Sequence, residues 1–248
     1  MTLFTVKQLP NVFTCMNLLC GCVALVAVFH GNEILLAGMV FLAAMFDLLD
    51  GLTARGFNAY SDFGKEFDSL ADMVTFGVVP GMIMYNLFVK GPDTVFLGSN
   101  VLFHILKYFP FIITVFAALR LARFNCRKSS SSYFTGMPTP AAALMITSLP
   151  LIVRYDRYGL GDLIHNPYFI CLFSLITAAL MMSNLKLFAL KFHNLGWNDN
   201  KFQYLFLLIA FIFFVLFGFT SVPLIIMLYI ALSLASGIKF FNPSEKTS

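Results

Sequence analysis

Between residues 47 and 72 an otherwise apolar chain places six of its twelve acidic residues. Reading through, Asp47, Asp50, Gly51, Ala54 and Arg55 are followed by Gly64, Asp68 and Asp72. At about 100° per residue, Asp47, Asp50, Gly51 and Ala54 share one helical face. Gly64, Asp68 and Asp72, each four apart, share another. The first pair of acids closes one hydrophobic segment and the second pair opens the next, so two membrane helices bring four carboxylates to the same depth. Gly and Ala among the acids leave room for a ligand's phosphates to approach, which a Leu would block. Four like charges at close range repel, and such a group needs a cation. With oxygen ligands only and no nearby His or Cys, the ion expected is Mg²⁺ or Mn²⁺, and four carboxylates suffice for two ions around a phosphate. The chemistry implied is displacement at phosphorus.

The elements that must position these acids are membrane helices. The 248 residues are 59% hydrophobic and 11% charged, with a mean hydropathy of +0.84, which excludes an ordinary soluble domain. Eight hydrophobic spans are expected, at 11–29, 33–50, 67–89, 100–124, 138–153, 166–184, 203–219 and 221–240, in a single all-α polytopic bundle. Within it a core at about 8–153 carries the site, and helices at about 166–240 add scaffold. The apolar start lacks a cleavage pattern and is read as a first span, not a removable signal. With the N-terminus inside, all sixteen Lys and Arg except Lys90, Lys107, Arg154 and Arg157 fall on or near the cytoplasmic face, which puts the acids there too. The net charge of +4 is scattered and forms no nucleic-acid surface. Cys15, Cys20, Cys22, Cys126 and Cys171 lack metal spacing and are read as reduced packing residues, and His30, His104, His165 and His193 lie too far apart for a ligand set.

The pattern D-x-x-D-G-x-x-A-R, eight residues, then G-x-x-x-D-x-x-x-D resembles the signature of the CDP-alcohol phosphotransferases, with every position present. These are membrane enzymes that move a phosphatidyl or related group from a CDP-linked donor to an alcohol and release CMP. The resemblance implies that Asp47, Asp50, Asp68 and Asp72 hold the metal, with Asp72 also the general base. It implies that Asp50, Gly51, Ala54, Arg55 and Gly64 bind the CDP-linked lipid, Arg55 meeting phosphate. By itself Arg55 could equally serve the positive-inside bias. Asp62 and Glu66 lie off the signature and are read as solvated loop acids in the 51–66 connection.

Asn11, Thr14, Asn17 and Gly21 form a polar and small stripe in the first span. It serves either N-terminal capping by Asn11 and helix packing, or the lining of the nucleotide pocket. The family places a similar Pro-Asn-x-x-Thr segment beside its site, which adds Asn11, Thr14 and Asn17 to the donor-binding set. The fourth span ends L-R-L-A-R-F-N-C-R-K. Arg127 and Lys128 are expected as interface anchors. Arg120 lies deeper, where an unpaired charge costs about 2.5 to 3.5 kcal/mol, and wants an anionic partner, an acid of the cluster or a substrate carboxylate. After the serine run 129–132 comes Y-F-T-G-M-P-T-P-A-A-A, a sharply turned entry into a small-faced helix.

Taken together, L-R-L-A-R-F-N and G-x-P-x-P-A-A-A resemble the serine-using branch of the family. That implies CDP-diacylglycerol and L-serine as substrates, phosphatidylserine and CMP as products, a homodimer, and Arg120, Arg123, Phe124 and Asn125 as serine-binding residues, Arg123 foremost. The alternatives are a sibling enzyme using glycerol 3-phosphate or inositol and, in another class, a cation transporter, because intramembrane acids also mark ion pathways. Against the transporter, the Gly, Ala and Arg among the acids suit a nucleotide better than a bare ion.

Overall fold

The computed structural model describes residues 8–91, 101–126, 134–187 and 201–236. Arg127, Lys128, the serine run and Trp197, an expected interfacial residue, lie outside the described residues. Among the described residues the regular structure is helical except for a two-residue antiparallel pair, β1 (Phe134–Thr135) with β2 (Lys186–Leu187). The helices are α1 (Leu9–His30), α2 (Glu33–Gly56), α3 (Asp62–Asp72), α4 (Val79–Lys90), α5 (Val101–Leu106), α6 (Ile112–Cys126), α7 (Thr139–Tyr155), α8 (Gly161–His165), α9 (Pro167–Met182), α10 (Lys201–Phe217) and α11 (Ser221–Ser236). A π-helical segment, Met73–Val78, joins α3 to α4, so residues 62–90 run as one span.

Among the described residues five stretches are long and apolar enough to cross a membrane: Leu9–His30, Glu33–Gly56, Asp62–Lys90, His104–Cys126 and Phe206–Ser233. Helices α7 and α9 are shorter and also apolar. The last stretch is a hairpin. Gly218 takes φ +57 in a 3₁₀ turn, and the rings of Phe206 and Tyr229 lie 5.9 Å apart. A straight helix would separate those two residues by roughly 35 Å. Eight apolar spans result among the described residues, and the chain is a multi-pass membrane protein.

Two local expectations need correction. Asn11 does not cap α1: the helix begins at Leu9 after Gln8, because Pro10, with its fixed φ and missing N–H, suits the first turn. The 51–66 connection, read as a turn after an extra helical turn or two, has those turns but is cut short at its far end. Helix α2 runs on to Gly56, the chain turns at Asn58 (φ 48), and α3 starts at Asp62, its Ser61 cap accepting from Gly64 N at 2.9 Å. Asp62 and Glu66 are exposed as expected, but helical.

The core gathers Ala24, Val28, Val40, Phe76, Ile83, Met84, Ile113, Ala142 and Ile146 from α1, α2, the third span, α6 and α7. Small residues allow this closeness. A Cβ on Gly21 would collide with Thr75, and one on Gly81 with Thr114 Oγ1. The π segment is held from both sides. Thr75 Oγ1 donates to Asn17 O at 3.2 Å, and Thr114 Oγ1 donates to Gly77 O at 2.9 Å. Val79 N bonds Val74 O, five residues back rather than four.

Candidate active site

Helices α2 and α3 carry the acids and α1 braces them. Carboxylate oxygens of Asp47, Asp50 and Asp68 can all lie within 4.8 Å of one another. At that range each pair of charges repels by roughly 3 to 4 kcal/mol at an effective dielectric near 20. One oxygen of Asp68, Oδ1, is buried and has no hydrogen-bond partner. Three converging carboxylates with an orphaned oxygen fit a hard divalent cation and would be costly without one.

Asp72 lies one turn beyond Asp68 and outside that group of three. It is 8% exposed and accepts from Asn17 Nδ2 at 3.0 Å. Asp50, 6% exposed, accepts from Thr14 Oγ1 at 2.9 Å; the same hydroxyl lies 3.1 Å from Pro10 O. The stripe on α1 thus meets two acids and the π segment residue by residue: Thr14 on Asp50, Asn17 on Asp72, Gly21 against Thr75. Asn17 Oδ1 is itself buried without a partner. Packing and site support coincide in these residues.

Asn11 and Gly64 face each other across the gap, since a Cβ on Gly64 would stand 3.2 Å from Asn11 Oδ1. Gly51 has open space around it apart from its own helix's Arg55, whose Nη2 would be 3.9 Å from a Cβ there. Arg55 is exposed, and Ala54 and Gly64 are half-buried. This small-residue corridor beside the carboxylates leaves room for a phosphate-bearing ligand.

The arginines of α6 diverge. Arg120 is half-buried: Nη1 donates to Thr139 Oγ1 at 3.3 Å, Nε is buried without a partner, and Asp72 acts on it electrostatically. Among the described residues it makes no ion pair. Arg123 is exposed and reaches the end of α9, donating to Met182 O at 3.5 Å and Asn184 Oδ1 at 3.1 Å. Asn125 turns toward α3 instead, its Nδ2 donating to Ser69 Oγ at 2.8 Å while Lys65 Nζ donates to Asn125 O at 2.8 Å. Phe124 is 60% exposed.

The proline-rich entry to α7 explains Thr139. Gly136 at φ +77 sits where a Cβ would press on Met181 O and Ser183 O. Gly136 N and Met137 N donate to Leu185 O and Leu180 O, at 2.9 and 3.0 Å. This docks the segment on α9, and α7 then starts with Thr139 buried beneath Arg120. Asn184 and Thr139 went unnoticed in the sequence. No periodicity marks either one, and both act on residues at least 19 positions away.

A carboxylate cluster with braces on Asp50 and Asp72, a corridor of small residues and an adjacent half-buried arginine surround the signature residues, and the family pattern described as CDP-alcohol phosphatidyltransferase matches residues 7–236. The chain belongs to this family. The CDP-diacylglycerol–serine O-phosphatidyltransferase of Bacillus subtilis is 32% identical over 162 residues, covering 63% of this chain and 86% of that protein. The Helicobacter pylori protein of the same name is 30% identical over 206 residues, covering 82% of this chain and 81% of its own length. The archaetidylserine synthase of Methanothermobacter thermautotrophicus is 34% identical over 151 residues, 60% of each chain. This CDP-alcohol phosphatidyltransferase is an enzyme of phospholipid biosynthesis, and its family depends on metal ions.

If Asn17 acts by holding Asp72, Asn17→Leu lowers kcat about 10- to 100-fold while the affinity for the CDP-linked donor changes little, as expected for loss of an outer-shell partner. Steady-state kinetics with each substrate varied in turn separates this from a direct contact. Equal losses in donor affinity and rate would place Asn17 in the nucleotide pocket.

Proposed function

We propose that this protein transfers a phosphatidyl group from CDP-diacylglycerol to the hydroxyl of L-serine, giving phosphatidylserine and CMP. The observation that carries this reading is the cluster of Asp47, Asp50 and Asp68 with the orphaned Asp68 oxygen, set beside an arginine whose buried Nε has no partner. The names of the relatives support serine as the acceptor. The site faces the cytoplasm, in the cell inner membrane, and the working unit is a homodimer. The catalytic core lies at about 8–153, with the later helices as scaffold apart from the end of α9, which anchors Arg123.

Asp47, Asp50, Asp68 and Asp72 would hold Mg²⁺ or Mn²⁺, as two ions, to offset charge on the diphosphate and the departing CMP. Gly51, Ala54 and Gly64 admit the diphosphate, Arg55 pairs with it from the exposed side, and Asn11, Thr14 and Asn17 line or brace the donor side. Serine Oγ attacks the phosphorus that carries diacylglycerol. As that bond forms, the hydroxyl proton passes to Asp72 and the bond to CMP breaks. No covalent enzyme intermediate is needed.

Serine differs from neutral acceptors in its carboxylate. Arg120 offers a free Nε close to Asp72, while Arg123, Phe124 and Asn125 shape the approach from the surface. Arg120→Lys therefore raises the KM for serine about 10- to 100-fold, the effect of losing a charged hydrogen bond, with the KM for CDP-diacylglycerol nearly unchanged. Arg123→Lys has the smaller effect, because its guanidinium already serves the end of α9. A larger serine defect in Arg123→Lys would reverse these two roles.

The decisive experiment supplies purified protein with CDP-diacylglycerol, Mg²⁺ or Mn²⁺ and, separately, serine, glycerol 3-phosphate and inositol, following CMP release. Serine alone should support turnover. Release with glycerol 3-phosphate or inositol and none with serine would overturn the acceptor, and none with any of them would overturn the reading.

A further inference from the structure

We propose a second lipid site at the opposite end of the bundle, one that holds a phospholipid by its phosphate. A cavity of about 580 Å³ opens there, where α1, α4 and α7 end and α2 begins. That volume falls in the ~300 to 1,000 Å³ range of small-molecule sites. It is separate from the carboxylate cluster. On α1 alone, Asn17 and Gly31 stand fourteen residues apart, roughly 20 Å along the helix.

The rim is charged and the floor is not. At the rim, Arg154 Nη1 pairs with Glu33 Oε2 at 2.8 Å, so one carboxylate is already matched. Lys90 also lines the cavity, beside Gly31, and among the described residues it has no carboxylate within 4.0 Å. Two permanent cations against one acid leave a surplus positive charge, and Arg154 keeps N–H donors beyond the one given to Glu33. Part of the demand on Lys90 is local, since it ends α4 and lies near the carbonyl end of α1. Below the rim the walls are Leu36, Ile83 and Leu87, and Asn86 is fixed by donating to Val28 O at 2.7 Å.

A free inorganic anion would satisfy the rim and leave that floor wet. An amphiphile satisfies both, its phosphate between Lys90 and Arg154 and an acyl chain along Leu36, Ile83 and Leu87. The rim residues sit at the ends of membrane spans, the depth at which phospholipid headgroups lie. The structure therefore points to a phospholipid of the leaflet opposite the active site.

The full-length protein in nanodiscs doped with a phosphatidylglycerol bearing a diazirine in its acyl chain tests this, cross-links being mapped by mass spectrometry. Labelling is expected at Leu36, Ile83 and Leu87. The double variant Lys90→Gln/Arg154→Gln should lower it about 10- to 100-fold, the effect of losing charged hydrogen bonds. Val153→Phe, which fills the cavity and leaves the charges intact, should lower it too. Labelling of the outward-facing Phe41, exposed on α2, and CMP release should stay as in the parent protein. Unchanged floor labelling in both variants, or floor labelling displaced by millimolar inorganic phosphate, would overturn the proposal.

Discussion

Asp68→Asn lowers turnover by about 10³-fold or more, the consequence of removing several kcal/mol of cation-borne stabilisation from the transition state. The folded protein survives the change. Asn keeps the shape of Asp, and the lost charge is one of three mutually repelling carboxylates within 4.8 Å, so the metal-free protein should melt no lower than the parent. Asp47→Asn and Asp50→Asn follow the same pattern, Asp50 with an added penalty where Thr14 donates to it. CMP release at saturating metal, paired with thermal melts in chelator, measures both halves. Near-parental turnover of Asp68→Asn at limiting metal would remove Asp68 from the ligand set. A lower melting point in chelator would mean the carboxylate is structural.

Asp72→Asn acts on rate, not on donor capture. As general base Asp72 contributes about 10² to 10⁴ in kcat, and the variant loses that factor while still binding CDP-diacylglycerol, because Asp47, Asp50 and Asp68 remain. The Asn17 contact survives, since Asn also offers an Oδ1 acceptor to Asn17 Nδ2. Donor affinity by titration and single-turnover rate with serine should part company. If both fall together, Asp72 serves as a ligand alone and the base lies elsewhere.

The acids were legible because helical spacing alone puts Asp47 with Asp50 and Asp68 with Asp72 on common faces, and hydropathy alone puts both pairs at span ends. The span count was legible for the same reason, since apolar length needs no tertiary information. The targets of the α1 stripe were not. Thr14 and Asn17 announce themselves as polar residues in an apolar helix, but their partners lie 36 and 55 positions away, and only packing selects which acid each one meets. The divergence of Arg120 and Arg123 was hidden likewise. Two residues three apart share a stripe, yet one meets Thr139 at the start of α7 and the other Asn184 just past the end of α9. The early start of α1 and the helical state of residues 62–66 were missed where local turn chemistry was weighed more heavily than Pro10 and the Ser61 cap.

The π segment sets a rule for which sequence changes the third span can absorb. With Val79 N bonded to Val74 O, the segment acts as a one-residue insertion, and α4 is turned by about 100° relative to α3 compared with an unbroken α-helix. That offset lets Asp68 and Asp72 face the cluster while Ile83, Met84 and Leu87 face the core. Substitutions among Met73 to Val78 that keep size should be tolerated; a further residue inserted among them should not. A one-codon insertion there, with no α-helical turn left to absorb it, would turn α3 by about a further 100° relative to α4, swing the two carboxylates away from α2, and silence the enzyme as surely as replacing them, without touching an acidic residue.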